Sequence, residues 1–347
     1  MVVHGVGVIG AGPGVAAVHL PTLARLSQDF AVVHIADAGS GRAVGLAEAT
    51  GARASSGIDE LLADPAVEVV AICSPPAQHA EHILASVTAG ARAILCEKPI
   101  ALTVDDAEAV IAACREAGTV LIVGTNHLFD PVWGRAKHHL DATRGAVQSV
   151  SITVALPPNG RYHDVVTQLG PDGAPPRGAP DWSNANVAAS VVRQLVLGLA
   201  IHDLPALRDI VPRLDEVIYA RPLSPIGYTI GARGGETLVS LTAVMLPAGA
   251  DALWRMSIST ALERLDVDFP PTFVHAGSAR AQVRGANGQL TEYPTAAEDG
   301  YVEEWRALAA LLDDGATIEY EHILDDARYA VHLADAAHAA VLEGYAR

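Results

Sequence analysis

Five short apolar runs alternate with alanine-rich stretches over the first 125 residues of this chain. They are GVGVIG at 5–10, FAVVHIAD at 30–37, VEVVAICS at 67–74, ARAILCE at 91–97 and TVLIVGT at 119–125. The stretch 103–118 is typical of the segments between them, because Thr103 is a favourable helix N-cap and Gly118 a favourable stop. Apolar strands joined by helical crossovers form parallel sheets that are covered on both faces. The sequence therefore predicts an α/β fold with an N-terminal doubly wound parallel sheet.

The pattern changes after residue 125. A helix near 127–143 precedes longer strand candidates at 147–156, 215–223, 227–234, 237–246 and 252–261, and two more strand-like segments follow. Turns such as GANG at 285–288 favour hairpins. We predict a first domain at 1–125 and an α+β domain at 126–347 with an open, largely antiparallel sheet, whose terminal helix can pack back on the first domain. The Pro- and Gly-rich stretch 157–187 is predicted to cover a substrate.

Composition excludes several classes of function. The formal charge is -17 and no cluster of basic residues stands out, which argues against nucleic-acid or anionic-membrane partners. No apolar run reaches the roughly 18 residues of a membrane span, and the N-terminus lacks the charged segment of a signal peptide. Cysteines number three, without metal-ligand spacing. We therefore expect a cytoplasmic protein with buried thiols, no metal and a small-molecule substrate.

The first strand ends in a glycine turn, GAGPGVAAVH. In this strand–turn–helix context Gly10 permits a tight turn, while Gly12, Pro13 and Gly14 lead into a helix whose N-terminus favours an anion. Ala16 takes the position of a third close-packing glycine. The turn predicts binding of a dinucleotide pyrophosphate.

Asp37 ends the second strand, where a carboxylate can accept hydrogen bonds from both ribose hydroxyls. An acid at this place repels a 2′-phosphate and Ala38 follows it, so the sequence favours NAD over NADP. Arg42 is the feature that points towards NADP. The alternative interpretation of Asp37 is an ordinary helix-capping aspartate.

Four segments, GAGPGVAAVHLP, SPPAQHAEH, CEKPIALT and GTNHLFDP, occur in an order that resembles the glucose–fructose oxidoreductase / inositol dehydrogenase / rhizopine-catabolism family (Gfo/Idh/MocA). The likeness covers about 130 N-terminal residues, and the second half is similar mainly in layout. The resemblance implies an N-terminal Rossmann domain and a two-domain dehydrogenase of sugars, cyclitols or related polyols. It also implies that Lys98 touches the substrate or the nicotinamide and that the Lys98–Pro99 bond is cis.

The resemblance assigns further residues to the cofactor side. Ser74, Pro75 and His79 follow the fourth strand, where the family's loop passes beneath the nicotinamide and ribose. Glu97 precedes Lys98 and is expected on the other side of the strand, as a structural or cofactor-adjacent carboxylate rather than a direct partner of Lys98.

Lys98 is one of only two lysines among 23 basic residues. Oxidising a secondary alcohol requires a base for the hydroxyl proton, and an arginine stays protonated. A lysine can serve if its pKa falls from about 10.4 towards 7–8, which desolvation and a positive nicotinamide both favour. The alternative is a structural lysine.

The second candidate acid/base is His202, in the segment VVRQLVLGLAIHDLPALR. The resembled family carries Asp-x-x-x-His there, and His202 matches the histidine, but Gly198 replaces the aspartate. Asp203 is predicted to point about 100° away, so it does not substitute for that aspartate. We hypothesise that Gly198, read as a mid-helix glycine, makes room for a bulkier substrate or a closer nicotinamide. The alternative for His202 is a structural histidine.

Weaker substrate-binding candidates remain. Asn126 and His127 follow the strand at 119–125, and Gln194 lies two turns before His202 on the predicted helix. The long loop adds Arg161, Tyr162, His163, Trp182 and Asn184, for which solvated loop positions are the alternative.

Three functions fit these residues. The first is NAD(P)-dependent oxidation of a hydroxyl to a ketone, or the reverse. The second is a redox-assisted elimination on a glycoside with recycled NAD, and the third a non-catalytic NAD-binding regulator. An open sheet with one uncovered face also predicts a homodimer or homotetramer.

Overall fold

The computed structural model describes residues 2–143, 145–157, 180–246, 251–315 and 318–346. These residues divide into two compact units, each with its own sheet. The first unit comprises 2–124 and 301–328. The second comprises 125–157, 180–246, 251–300 and 329–346.

The first unit is built on a six-stranded parallel sheet of order β3-β2-β1-β4-β5-β6. Its strands are β1 His4–Ile9, β2 Phe30–Asp37, β3 Arg53–Ser56, β4 Val69–Ile72, β5 Ala93–Glu97 and β6 Val120–Gly124. The predicted doubly wound parallel sheet is confirmed. The sequence did not predict β3, because RASS has no apolar run and its side chains are mostly exposed.

The helices of this unit cover both faces of the sheet. They are α1, with a π-helical part Val15–His19 continued by Leu20–Arg25, then α2 Arg42–Thr50, α3 Asp59–Leu62, α4 His79–Thr88 and α5 Val104–Ala117. The predicted capping of α5 is confirmed, since Thr103 accepts a hydrogen bond from the Asp106 backbone N–H and Gly118 has φ 69°.

The second unit contains an eight-stranded mixed sheet of order β14-β13-β12-β11-β7-β10-β9-β8. Its strands are β7 Val147–Leu156, β8 Glu216–Leu223, β9 Ile226–Gly234, β10 Thr237–Met245, β11 Leu253–Thr260, β12 Glu263–Asp268, β13 Arg280–Gly285 and β14 Leu290–Tyr293. Only β7 and β10 pair in parallel, so the prediction of a largely antiparallel sheet is confirmed. The short β14 was not predicted, because none of its side chains is buried.

The helices of the second half of the chain are α6 Pro131–Thr143, α7 Ala185–Gly198, α8 Leu204–Ile210, α9 Gly300–Asp314 and α10 Tyr320–Ala346. Nearly all of α9 and the first residues of α10 belong to the first unit. There Trp305 packs edge-on against Phe30 at 5.0 Å, and Leu324 and Ala327 join the apolar cluster of β4, β5, α4 and α5.

One described helical stretch, Ala185–His202, is long and apolar enough to cross a membrane by length and composition, with mean hydropathy 1.3. The sequence expectation of no such segment needs that correction. Within the second unit, however, Ala188, Val192 and Val196 are fully buried and α7 packs against β8 and β9. This is the pattern of a core helix.

Candidate active site

The carboxyl ends of four parallel strands of the first unit meet at one edge of the sheet. Gly10 follows β1, Asp37 ends β2, Ser74 lies just beyond β4 and Lys98 follows β5. The strand order reverses between β1 and β4, and ligands of open α/β sheets bind outside such a reversal. The topology therefore brings the predicted cofactor residues of this unit to one edge.

The glycine turn after β1 has two different steric requirements. Gly10 has φ 112°, and a Cβ built there would lie 2.6 Å from the carbonyl oxygen of Cys73, so only glycine fits. A Cβ on Gly12 or Gly14 would meet nothing within 4 Å. The turn is thus closely packed at Gly10. At Gly12 and Gly14 it is open, as the close approach of a pyrophosphate requires.

The helix after this turn begins with the π-helical segment Val15–His19. A π turn spans more residues than an α turn and is frequent at functional sites. It includes Ala16, which is half-buried. The same segment carries His19 into the interior, where it is buried. The sequence patterns did not indicate His19.

Asp37 is ionised and already hydrogen-bonded. Its Oδ1 accepts from the backbone N–H groups of Gly39 and Ser40, and its Oδ2 from Ser40 Oγ at 2.6 Å and from the Ala43 N–H. Burial alone would raise the pKa of Asp37, but these bonds outweigh it and lower the pKa. The carboxylate thus caps the start of α2, in line with the alternative interpretation. The Ser40 hydroxyl occupies one of its acceptor positions.

The loop after β4 is tied to the loop after β5 through His79. This side chain is buried, with Nδ1 2.7 Å from the carbonyl oxygen of Pro99 and Nε2 2.7 Å from that of Ser74. Both ring nitrogens therefore face protein groups, so His79 positions the two loops. Pro75 is exposed, and Ser74 Oγ lies 2.8 Å from His82 Nδ1.

Lys98 lies at this edge, directly after β5. The Lys98–Pro99 peptide is cis, which confirms the expectation from the resemblance. Burial lowers the pKa of Lys98, and the neighbouring Glu97 carboxylate opposes that effect without cancelling it. The direction is the one that a proton-accepting lysine requires.

Both carboxylate oxygens of Glu97 have hydrogen-bond partners. Its Oε2 accepts a hydrogen bond of 3.2 Å from the Lys98 backbone N–H, and its Oε1 lies 2.9 Å from His19 Nε2. Burial raises the pKa of Glu97, but His19 and Lys98 more than compensate, so the pKa is lowered. The carboxylate folds back to the Lys98 backbone, and the expectation that it is not a direct partner of the Lys98 side chain stays a prediction.

In the second unit, His202 follows α7 in a short 3₁₀ turn, Ala200–His202. The helix ends at Gly198, so the prediction of a mid-helix glycine was wrong. Gly198 is exposed, and a Cβ built there would meet nothing within 4 Å. His202 is buried, and its Nδ1–H donates to Asn126 Oδ1 at 2.7 Å.

A second buried histidine lies next to His202. The His127 Nδ1–H donates to Asp203 Oδ1 at 2.8 Å, and Trp254 Nε1–H donates to the same carboxylate. The His127 ring stacks on Phe269 at 4.0 Å and lies 5.6 Å from the His202 ring. Its Nε2 is buried without a hydrogen-bond partner among the described residues. Asp203 thus accepts a hydrogen bond from His127 and orients its ring. Helix geometry alone did not predict this role.

The remaining candidates are dispersed. Gln194 is exposed on α7, and Asn184 caps the start of that helix by accepting from the Asn186 and Val187 N–H groups. Trp182 donates from Nε1 to the Pro225 carbonyl oxygen at 3.2 Å. Arg161, Tyr162 and His163 lie outside the described residues.

Comparison with known proteins identifies the first of these units. Residues 4–125 match the model of the Gfo/Idh/MocA family, described as an oxidoreductase family with an NAD-binding Rossmann fold. Among curated proteins, inositol 2-dehydrogenase 2 of Saccharopolyspora erythraea is 39% identical over 141 residues. The match spans 40% of this chain and 41% of that relative.

Solved structures resemble the fold over nearly the whole chain. KijD10, a 3-ketoreductase from Actinomadura kijaniata solved with NADP and TDP-benzene, gives a TM-score of 0.73 at 21% identity, covering 97% of each chain. UDP-N-acetylglucosamine 3-dehydrogenase GnnA from Acidithiobacillus ferrooxidans gives 0.73 at 19% identity, covering 98% of this chain and 100% of the other. At these identities the likeness concerns the fold alone.

Proposed function

We propose that the protein is a nicotinamide-dependent oxidoreductase of the Gfo/Idh/MocA family, because residues 4–125 match that family's NAD-binding Rossmann model. Its substrate is a secondary alcohol, or the matching ketone, of a sugar, cyclitol or glycoside. The observation that carries the proposal is Lys98, at the carboxyl end of β5 with a pKa lowered by burial.

The residues at the carboxyl edge of the first sheet fit a dinucleotide. Gly10 makes the turn, and the open space beside Gly12 and Gly14 admits the pyrophosphate. The Asp37 carboxylate would hold the adenine-side ribose by accepting hydrogen bonds from its hydroxyl groups. Because Asp37 is ionised, NAD is preferred over NADP. When bound, the nicotinamide accepts or supplies the hydride.

Lys98 handles the proton. In the oxidative direction the neutral amine accepts the hydroxyl proton, and in the reductive direction the ammonium donates it to the developing alkoxide. Arginine cannot take this role, because its guanidinium stays protonated.

His202 is the second proposed site residue, as an acid/base or hydroxyl-orienting group. The hydrogen bond from Nδ1–H to Asn126 Oδ1 fixes the orientation of the His202 ring. The bond from the His127 Nδ1–H to Asp203 fixes the second ring in the same way. Both therefore suit contacts with substrate hydroxyl groups.

A screen for NADH and NADPH formation over polyols, monosaccharides, uronates and glycosides tests the proposal. We expect net reduction with at least one substrate and a loss of kcat of at least about 100-fold in Lys98→Arg, the contribution of one general base. Lys137→Arg is the matched control. It preserves charge at the only other lysine, which pairs with Asp141 at 2.6 Å, and should keep wild-type rates.

Other outcomes select other functions. Substrate cleavage without net NADH would indicate redox-assisted elimination. Tight NAD binding without turnover would indicate a regulator. Full activity of Lys98→Arg would remove Lys98 from the mechanism.

We also propose a homo-oligomer. One face of the second sheet carries small polar side chains, including Ser151, Thr153, Ser240 and Thr242, which are exposed or half-buried. A flat surface of this kind suits a second copy of the chain. Light scattering should give twice or four times the chain mass of 36.0 kDa, and a monomer would refute this proposal.

A further inference from the structure

We propose that His19 is a positioning residue for the reaction, because it fixes and neutralises the Glu97 carboxylate beside Lys98. This inference rests on the proposed function, in which Lys98 accepts the proton. It adds His19 of α1, a residue that the segment CEKPIALT does not indicate.

The Glu97 carboxylate contacts a histidine side chain with one oxygen and a backbone N–H with the other. His19 Nε2 lies 2.9 Å from Glu97 Oε1, while the other carboxylate oxygen accepts from the Lys98 backbone N–H. His19 comes from the π-helical part of α1, and Glu97 is the last residue of β5, 78 positions later in the chain. Both carboxylate oxygens therefore have a hydrogen-bond partner other than the Lys98 amine.

The charges follow from this contact. An unpaired carboxylate next to Lys98 would stabilise the ammonium and hold back its proton. Burial disfavours a charged His19, but Cys73 and Glu97 raise the pKa of His19 well above its ordinary value. Under this proposal the pair is an imidazolium and a carboxylate with no net charge, joined by the 2.9 Å contact between His19 Nε2 and Glu97 Oε1. Burial can then lower the pKa of Lys98 even though a carboxylate lies next to it.

Several groups face the His19–Glu97 pair and affect the pKa values of its two members. His19 meets Glu97, Cys73 and the edge of the Tyr301 ring, whose centroid is 6.2 Å away. Glu97 meets His19 and Lys98, and it contributes to the raised pKa of Cys96. Of these groups, His19 and Lys98 both lower the pKa of Glu97, and His19 is the one that contacts a carboxylate oxygen through its side chain.

The titration of Lys98 can be followed directly, because the protein has only two lysines. Labelling with ¹³Cε-lysine gives two signals, and Lys137→Arg assigns the one from Lys98. The titration is recorded on the protein without cofactor, so it does not depend on turnover.

His19→Gln keeps a hydrogen-bond donor for Glu97 but removes the charge. We expect the Lys98 titration to move up by about one pH unit, the lower end for a nearby charge. If the protein is active, the acid limb of kcat/KM for oxidation should shift in the same direction. Glu97→Gln should move the Lys98 titration down.

His34→Gln is the matched control. His34 is also buried and hydrogen-bonded to a carboxylate, that of Asp64 at 2.9 Å, but it belongs to β2. The His34→Gln variant should leave the Lys98 titration unchanged even if its melting temperature falls. A purely structural role of His19 predicts the same behaviour for both variants.

An unchanged Lys98 titration in folded His19→Gln, shown by native-like circular dichroism, would overturn the inference. The proposed function could survive that result, since Lys98 could still act as the base. If instead Lys98→Arg is fully active while His19→Gln shifts the titration, the function fails and the electrostatic coupling stands.

Discussion

The glycine turn allows stability and cofactor binding to be separated by two substitutions of one methyl group each. In Gly10→Ala the new Cβ would meet the Cys73 carbonyl oxygen at 2.6 Å, and φ 112° is strained for any L-residue. The strain costs about 1–3 kcal/mol and the overpacking about 1–3 kcal/mol. We therefore expect about 3–5 kcal/mol of destabilisation, and a melting temperature lower by roughly 10 °C.

Gly12→Ala should behave in the opposite way. The added Cβ meets no protein atom within 4 Å, and φ is not in the left-handed region, so the fold loses nothing. The reduced entropy of the unfolded chain stabilises the protein by about 0.4–1 kcal/mol. The same methyl group would stand where the pyrophosphate approaches, and NADH binding should weaken by at least about tenfold, or about 1.4 kcal/mol.

Thermal denaturation without cofactor and fluorescence titration with NADH measure the two effects. Gly45→Ala is the control, since its Cβ also meets nothing within 4 Å but it lies in α2, away from the turn. It should raise stability slightly and leave NADH affinity unchanged. Wild-type NADH affinity in Gly12→Ala, or a fall in melting temperature as large as that of Gly10→Ala, would refute this account of the turn.

Three further predictions concern single residues. Asp37→Asn keeps hydrogen-bonding capacity but loses the charge, so the ratio of kcat/KM for NADP to that for NAD should rise about tenfold; an unchanged ratio would mean that the carboxylate only caps α2. Asp203→Asn weakens the buried contacts to His127 and Trp254, and it should destabilise the protein by about 3 kcal/mol in urea unfolding. The control Asp209→Asn replaces an exposed carboxylate and should change the free energy of unfolding by less than about 0.5 kcal/mol. Gly198→Ala should also stay within about 0.5 kcal/mol, since its Cβ meets nothing within 4 Å; if Gly198→Asp raised kcat on simple inositols, a lost catalytic group, and not added room, would explain the glycine.

The strands that could be predicted from the sequence are those with buried apolar side chains. β1, β4 and the buried part of β5 lie inside the first sheet, so each reads as a short apolar run. The strands β3 and β14 contribute backbone hydrogen bonds but no buried side chains, and their sequences therefore carry no signal. Periodicity detects burial and not strand pairing as such.

The site was predictable where local motifs decide it. The turn at Gly10, the carboxylate at Asp37 and the cis bond after Lys98 each follow from a short segment. The contacts of His19 with Glu97 and of Asp203 with Trp254 join residues 78 and 51 positions apart, and they depend on how helices pack on strands. The end of α7 at Gly198 was missed for a related reason, since the apolar pattern continues through the 3₁₀ turn.

The central claim is that burial prepares Lys98 to accept a proton at the carboxyl end of β5. The most direct measurement is the pH titration of the ¹³Cε signal of Lys98 in the wild-type protein without cofactor. Because burial disfavours the ammonium, we expect a midpoint below the ordinary lysine value of about 10.4, with kcat/KM for oxidation rising as pH passes through the same midpoint. A midpoint at or above the ordinary value would contradict it.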